Sequence, residues 1–296
     1  MAALVPYHDR DGFIWMDGKL VPWREANVHL LTHGLHYASA VFEGERAYGG
    51  EIFKLTEHSE RLVTGARNMD FEIPYTVAEI DAACREVVKA NNLVDCYVRP
   101  IAWRGSEQMG VSAQLAKIHL AIAAWDWGSY FDPKERLRGI RLTHAQYCRP
   151  DPRTAPAKTK AAGLYMICTL EKHRAEKAGY ADALMLDWRG HVAECTGANI
   201  FFVKDGALHT PTPDCFLDGI TRRTVIDLAK KRGIEVIERT IMPEELSSFS
   251  ECFIVGTAAE VTPVREIGEN QYQPGRISET LLNDYMAAVQ PSKSAA

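Results

Sequence analysis

Short apolar runs alternate with turn residues along this chain, and the spacing inside each run predicts its element. FIWMDGKLVPW sets Asp17-Gly18 between two apolar runs and predicts a hairpin with a two-residue turn. AVFEGERAYGGEIFKL repeats the form around Gly49-Gly50. A helix is predicted from Thr56, as N-cap, through Arg67. A second starts at Thr76, where Glu79 completes a capping box and Val77, Ile80, Ala83 and Val87 recur at helical spacing. CYVRPIAW and IHLAIAAW read as strands. After the polar, turn-rich DWGSYFDPKERLRG come a strand over 140–147, a loop and a helix over 163–178. ADALMLDWRGHVAECTGANIFFVKDGALHTP is a meander with turns at Arg189-Gly190 and Asp205-Gly206. A helix from Ile220 to Lys231, the strand IEVIER, a short helix at 243–248, the strand ECFIVG and a C-terminal helix from about residue 277 complete the pattern.

Hairpins and helices in blocks, rather than strict βαβα alternation, predict an α+β fold of two domains, each an antiparallel or mixed sheet with flanking helices. The expected boundaries are a small N-terminal α/β domain over 1–131, a linker over 132–138 and a larger C-terminal domain over 139–296. At 296 residues the chain is long for one core and comfortable for two. No internal repeat or low-complexity tract interrupts it.

Composition narrows the function classes. With 46% hydrophobic and 25% charged residues the chain is an ordinary globular one, and a net charge of −5 gives nucleic acid or an anionic membrane nothing to bind. No apolar run approaches the roughly 18–20 residues of a membrane span. MAALVPYHDRDGF lacks the basic and apolar regions of a signal peptide, and the seven cysteines are scattered without a CxxC pair. A cytoplasmic location with reduced thiols is expected.

There is no dinucleotide fingerprint, P-loop or G-x-S-x-G. His33 and His36 of HGLH have a spacing that can seat a metal, but no third ligand is near in sequence. Packing or backbone hydrogen bonds are the better reading, and no metal is expected. In LDGITRRTVIDLAKKRG, Gly219 precedes a helix with Thr221 in its first turn. Free N–H groups, a hydroxyl and the positive helix end make a phosphate cup. Arg222 and Arg223 there oppose the dipole, so either an anion relieves them or they are solvated. FIVGTAAEVTP ends a strand in Gly256-Thr257-Ala258, which is an oxyanion-binding turn or a plain one. Glu194, in VAECTGANIFF, faces solvent or pairs with a cation in a pocket. PRTAPAKTKAAGLY offers two lysines, Lys158 and Lys160, as nucleophiles. Together, a phosphate cup, a lysine and an acid able to hold a pyridinium nitrogen are the parts that a pyridoxal phosphate site needs.

In order along the chain, HYASAVFEGERAY, EHSERL, YVRP, MGV, KAAGLY, VAECTGANIFFVKDGALHTP, LDGITR and GTAAEVTPV resemble the fold-type IV pyridoxal phosphate enzymes. Among these they are most similar to the branched-chain amino acid aminotransferases, over roughly residues 12 to 285. The resemblance implies that Lys160 is the Schiff-base lysine, since the family has a tyrosine five residues on. Tyr165 fits, whereas Lys158 would need one at Gly163. It implies that Tyr165 meets the cofactor's phenolic oxygen, Glu194 its ring nitrogen and Leu217 its ring face. Arg61, Ile220, Thr221 and Thr257 match phosphate-binding positions, which would set the cofactor between the domains. Tyr37, Phe42, Tyr130 and Tyr165 resemble the walls of a substrate pocket, and Val111 a residue lent by a neighbouring subunit. Tyr97 with the Thr257-Ala258 backbone resembles the α-carboxylate binder, Arg99 the group that meets a distal carboxylate, and Arg46 its support.

The implied reaction is transamination of leucine, isoleucine and valine with 2-oxoglutarate, giving branched 2-oxo acids and L-glutamate. The implied partners are amino acids, 2-oxo acids and copies of this chain, in a dimer at least and a hexamer as the larger form. A D-amino acid or (R)-amine aminotransferase, or an aminodeoxychorismate lyase, shares the lysine and glutamate, but YVRP together with GTAAEVTP favours the branched-chain group. A non-catalytic metabolite-binding protein is the rival of another class, and it would have no need of Lys160. The chain departs from the family pattern at Glu45, where many members are aliphatic, at Cys195, which replaces a glycine, and in WRGSEQMGV and CRPDPRTAP.

Overall fold

Positive φ at both central residues lets a two-residue turn follow the right-handed twist of its strands. Asp17-Gly18 (49° and 92°) and Gly49-Gly50 (58° and 87°) supply it. The first pair joins β1 (Phe13–Met16) to β2 (Lys19–Pro22). After β3 (Ala40–Phe42), the second joins β4 (Glu45–Tyr48) to β5 (Glu51–Ile52). The computed structural model describes residues 5–128, 130–131 and 138–290. Among these, β6 (Cys96–Arg104) and β7 (Ile118–Asp126) complete an antiparallel sheet in the order β2-β1-β7-β6-β4-β5, with β3 also on β6.

A short α1 (His33–Tyr37) precedes β3. The helices α2 (Leu55–Asn68) and α3 (Val77–Ala90) cover one sheet face, burying Leu62, Ala66, Ile80 and Val87 against Val98, Ala102, Leu120 and Ile122. Thr76 forms the predicted capping box: its N–H donates to Glu79 Oε2 at 2.7 Å and its Oγ1 accepts the Glu79 N–H at 3.3 Å. Thr56 does not cap α2. Lys54, left-handed at φ 57°, precedes the helix, and the Thr56 hydroxyl donates to Asp81 of α3 at 2.6 Å.

Pro100 sits in the middle of β6 without breaking the sheet. β4 pairs with Cys96–Val98 and β3 with Ile101–Trp103, so Pro100, which has no N–H, falls in the gap between two ladders. Its carbonyl there accepts the Glu43 N–H at 2.8 Å. Period-two alternation sends Val98 and Ala102 to the helices, and Tyr97, Arg99 and Ile101 to the opposite face.

The second unit is a mixed sheet. Its strands are β8 (Ile140–His144), β9 (Asp182–Leu186), β10 (Val192–Cys195), β11 (Asn199–Lys204), β12 (Ala207–Pro211), β13 (Val236–Arg239), β14 (Glu251–Gly256), β15 (Glu260–Ile267) and β16 (Asn270–Gln271). Their order is β10-β9-β8-β15-β14-β11-β12-β13, with β16 on β15. The β8–β9, β8–β15 and β12–β13 pairs are parallel. Its helices are α4 (Tyr165–Lys177), α5 (Ile220–Lys231) and α6 (Arg276–Val289). Phe202, Ile254, Val264 and Leu142 belong to its core. The strand predicted over 140–147 ends at His144. β15 was not predicted; Pro263 lies inside it, paired with Phe253 of β14, and the parallel ladder with β8 begins only at Val264.

The chain divides into two compact units, the first reaching Gly128 and the second beginning after it. The predicted linker, 132–138, lies outside the described residues except for Arg138. One segment differs from the sequence reading, which gave the lysine to the C-terminal domain: Lys160–Gly163 belong to the first unit. The reason is backbone bonding. The Phe42 N–H donates to the Lys160 carbonyl at 3.1 Å, and Ala161 bridges to Val41. No described helix is long and apolar enough to cross a membrane.

Candidate active site

In the first unit, Lys160 lies beside Phe42, its Nζ 4.8 Å from the ring centroid. Arg99 reaches the same ring, Cζ at 5.0 Å, and its Nη2 donates to the Tyr97 hydroxyl at 3.2 Å. Gly44 makes room for that phenol, since a Cβ at position 44 would lie 2.0 Å from the Tyr97 hydroxyl oxygen. Arg46 pairs opposite Tyr97 in the β4–β6 ladder, with its guanidinium carbon 5.0 Å from the Tyr48 ring centroid.

Arg61, on α2, donates from Nε and Nη2 to the two oxygens of Glu43, each at 2.7 Å. His58, one helical turn earlier, bonds Glu43 Oε2 through Nδ1 at 2.7 Å. Burial by itself would raise the Glu43 carboxyl, but Arg61 and then His58 hold it well below the usual carboxylate range. Burial lowers His58, which keeps its ring neutral and makes Nδ1–H the donor. Burial, with Arg61 and Arg99, also lowers the Lys160 amine, while Glu43 and Tyr97 oppose the shift. A neutral amine is the form that attacks a carbonyl and takes a proton. Lys158, by contrast, is exposed.

In the second unit, Glu194 on β10 is buried rather than solvent-facing. Arg149 Nε stands 3.3 Å from its Oε1, and Asn199 Nδ2 donates to its Oε2 at 3.3 Å. Although burial is the largest single influence and opposes the charge on Arg149, Glu194 together with Cys168, Tyr165 and Cys215 outweighs it and raises its pKa. The same Asn199 amide donates to the Leu217 carbonyl at 2.9 Å, tying Glu194 to the loop before α5. That loop ends at Gly219, where a Cβ would fall 2.2 Å from Asn199 Oδ1. Gly219 is thus an N-cap with no side-chain cap hydrogen bond, and Thr221 is buried in the first turn. Arg222 is neither solvated nor aimed at a free anion. It is buried, and Asp218 (2.9 Å) and Glu238 (2.6 Å) answer its charge. Thr257 and Ala258 form part of the tight turn from β14 to β15, and Tyr165 opens α4.

The first unit therefore gathers Lys160, Phe42, Arg61, Tyr97 and Arg99, and the second gathers Glu194 and Leu217 through Asn199. Other predicted residues stand apart. Tyr37 stacks on His33 and is 45% exposed, and Val111 is 87% exposed. Tyr130 packs edge-on against Phe131 at 4.8 Å. The HGLH imidazoles bond to Ser39 and Gly110 (His33) and to Leu30 (His36). In the grouping of Asp187, Asp214 and Cys215, Arg189 already bridges both carboxylates. Sequence reasoning missed Glu43, His58, Arg149 and Asn199. Glu43, His58 and Asn199 stand inside motifs quoted above, whereas nothing local marks Arg149 as the partner of a glutamate 45 residues on.

Residues 40–267 match the family model for class IV amino-transferases. The branched-chain-amino-acid aminotransferase of Pseudomonas aeruginosa is 42% identical over 288 residues, covering 95% of this chain and 94% of that protein. Among solved structures, the branched-chain aminotransferase of Thermoproteus uzoniensis with norvaline superposes with a TM-score of 0.90 at 37% identity, covering 95% of both chains. The branched-chain amino acid aminotransferase of Thermobaculum terrenum, in its PLP form, gives 0.84 at 31%, covering 94% of both. A family match over more than three quarters of the sequence, with a relative 42% identical over 95% of the chain, shows that this protein belongs to the class IV aminotransferases.

Proposed function

We propose that this chain is a branched-chain amino acid aminotransferase, exchanging the amino group of leucine, isoleucine or valine with 2-oxoglutarate through pyridoxal 5'-phosphate. The observation that carries the reading is Lys160, an amine that its surroundings favour in the neutral form, beside the aromatic and cationic side chains of Phe42, Tyr97 and Arg99. The donor set fits the cofactor. Arg61, the buried Thr221 hydroxyl and the first-turn N–H of Ile220 suit a phosphate, together with Thr257. Glu194, with the Arg149 guanidinium 3.3 Å from its Oε1, suits a protonated ring nitrogen. When bound, the cofactor supplies an aldehyde that condenses with amines and a ring that holds the electron pair released at the substrate Cα.

The protein's own residues do the rest. Lys160 would be the amine that meets the cofactor's aldehyde, and its free Nζ would take the substrate's Cα proton. Glu194 would hold the ring nitrogen, Tyr165 the phenolic oxygen and Leu217 the ring face. Tyr97 and the Thr257-Ala258 backbone hold the α-carboxylate. Phe42, with Tyr37, Tyr130 and Tyr165, offers the side chain an apolar wall. Arg99, supported by Arg46, meets the distal carboxylate of glutamate. Val111 serves a neighbouring copy, so the working form is self-associated; exposed Leu30, Leu31, Leu35 and Leu115 support an apolar contact of that kind. Seven unpaired cysteines, six of them buried, fit a reducing cytoplasm.

A substrate panel tests the proposal. L-Leu, L-Ile and L-Val with 2-oxoglutarate should yield glutamate. Activity confined to D-Ala or an (R)-arylamine would overturn it in favour of the sister activities.

A further inference from the structure

A buried ion pair is weak evidence for stability, because apolar side chains of the same volume often serve as well. The Glu43 pair therefore invites another explanation, and its placement supplies one. Glu43 is fully buried in the gap between β3 and β4, where its N–H is fixed by the Pro100 carbonyl. The N–H of the preceding residue, Phe42, holds the backbone of Lys160. The carboxylate accepts both arms of the Arg61 fork, Nδ1–H of neutral His58 and, at 3.3 Å, the Gly44 N–H. A bidentate fork fixes the plane of a guanidinium as well as its position.

We propose that Glu43 is a positioning residue for the reactive lysine: it fixes Arg61, and it presents to Lys160 the negative charge that offsets Arg61 and Arg99. The proposal rests on the reading of Lys160 as the imine-forming residue. The groups that bear on the amine are Glu43, Arg61, Tyr97 and Arg99, with His58 neutral beside them. Without the carboxylate, Lys160 faces two guanidinium groups and becomes a weaker base. His58 completes the arrangement by donating to Glu43 without adding a third cation.

The test follows the amine itself in the full-length apo chain. Reductive methylation with labelled formaldehyde between about pH 6 and 10, read at the Lys160 peptide by mass spectrometry, gives the midpoint of its deprotonation. Glu43→Gln should move that midpoint down by about one pH unit or more, and Arg61→Gln should move it up. Glu43→Asp, which keeps the charge, should stay near the parent chain. Coincident midpoints in Glu43→Gln and the parent, or shifts of the same sign in Glu43→Gln and Arg61→Gln, overturn the proposal. If Glu43→Gln does not fold, Arg61→Gln decides: an upward shift supports the proposal, and no shift or a downward one overturns it. Trapping added pyridoxal 5'-phosphate with borohydride separates the two levels. A label on a residue other than Lys160 defeats the underlying reading, whereas a label on Lys160 with unmoved midpoints defeats only the role of Glu43.

Discussion

Glu45 should weaken the first unit at neutral pH, and the size of the effect follows from where β4 puts it. The residue pairs with Val98, which faces α2 and α3, so its side chain enters the core and is fully buried. Burial raises its carboxyl well above the ordinary 4.5, and Glu43 and Asp81 add to the shift. Among the described residues neither oxygen meets a well-formed hydrogen bond, and the Cys84 thiol alongside is a weak partner. Above pH 4.5 the unfolded chain releases this proton while the folded chain keeps it, so stability falls as pH rises. Each pH unit over which the folded protein holds the proton costs about 1.4 kcal/mol. Glu45→Gln removes that slope and leaves every other titration in place. Its stability relative to the parent should therefore improve steadily between pH 5 and 7, by about 1.4 kcal/mol for each pH unit over which the folded protein keeps the proton, whatever the buried amide costs at a fixed pH. Urea unfolding of both proteins across that range measures the difference. A difference that stays flat, or falls, with rising pH would refute the reasoning and mean that Glu45 is ionised in the folded state.

Three further outcomes follow from the site. Arg99→Ala should reduce kcat/KM for glutamate and 2-oxoglutarate much more than for leucine, since it removes a cation and little apolar wall; equal losses in both half-reactions, measured separately, would count against the assignment. Gly44→Ala places a methyl group on the Tyr97 phenol and should destabilise the first unit by about 1–3 kcal/mol in thermal or urea unfolding, whereas Gly50→Ala, with nothing within 4 Å of its Cβ, meets no clash and costs only the strain of a side chain at φ 87°. Arg149→Leu leaves Glu194 buried without its cation and should cost about 3–5 kcal/mol in stability; a loss below about 1 kcal/mol, the size expected of an exposed pair, would show that the pair is solvated.

Local chemistry made much of the fold legible. Asp17-Gly18, Gly49-Gly50 and Asp205-Gly206 each have positive φ at both positions, as their dipeptides promise. Thr76 and Glu79 cap α3 through contacts three residues apart. What local pattern could not show depends on partners distant in sequence. Thr56 looked like a cap, but its hydroxyl serves Asp81 across a helix pair. Arg222 looked like an anion binder or a solvated charge, but Glu238 arrives from β13. Glu194 looked better fit for solvent than for a pocket, because period-two alternation sets its face without saying that Arg149 lies there. β15 was missed because FIVGTAAEVTP was read only as the end of the preceding strand, and only the register of its neighbours shows where the missing N–H of Pro263 does no harm. The lysine pair was separable only through the family resemblance; the structure adds a physical difference, with Lys158 exposed and Lys160 among Phe42, Arg61 and Arg99.

That difference gives the most direct test of the account. Purified protein loaded with pyridoxal 5'-phosphate is reduced with borohydride and digested, and the modified peptide is identified, in the parent chain and in Lys158→Ala and Lys160→Ala. The account predicts a visible imine band lost on reduction, a pyridoxyl group on Lys160 in both the parent and Lys158→Ala, and neither band nor turnover in Lys160→Ala. A label on Lys158, or an imine band and transamination that survive Lys160→Ala, would contradict it.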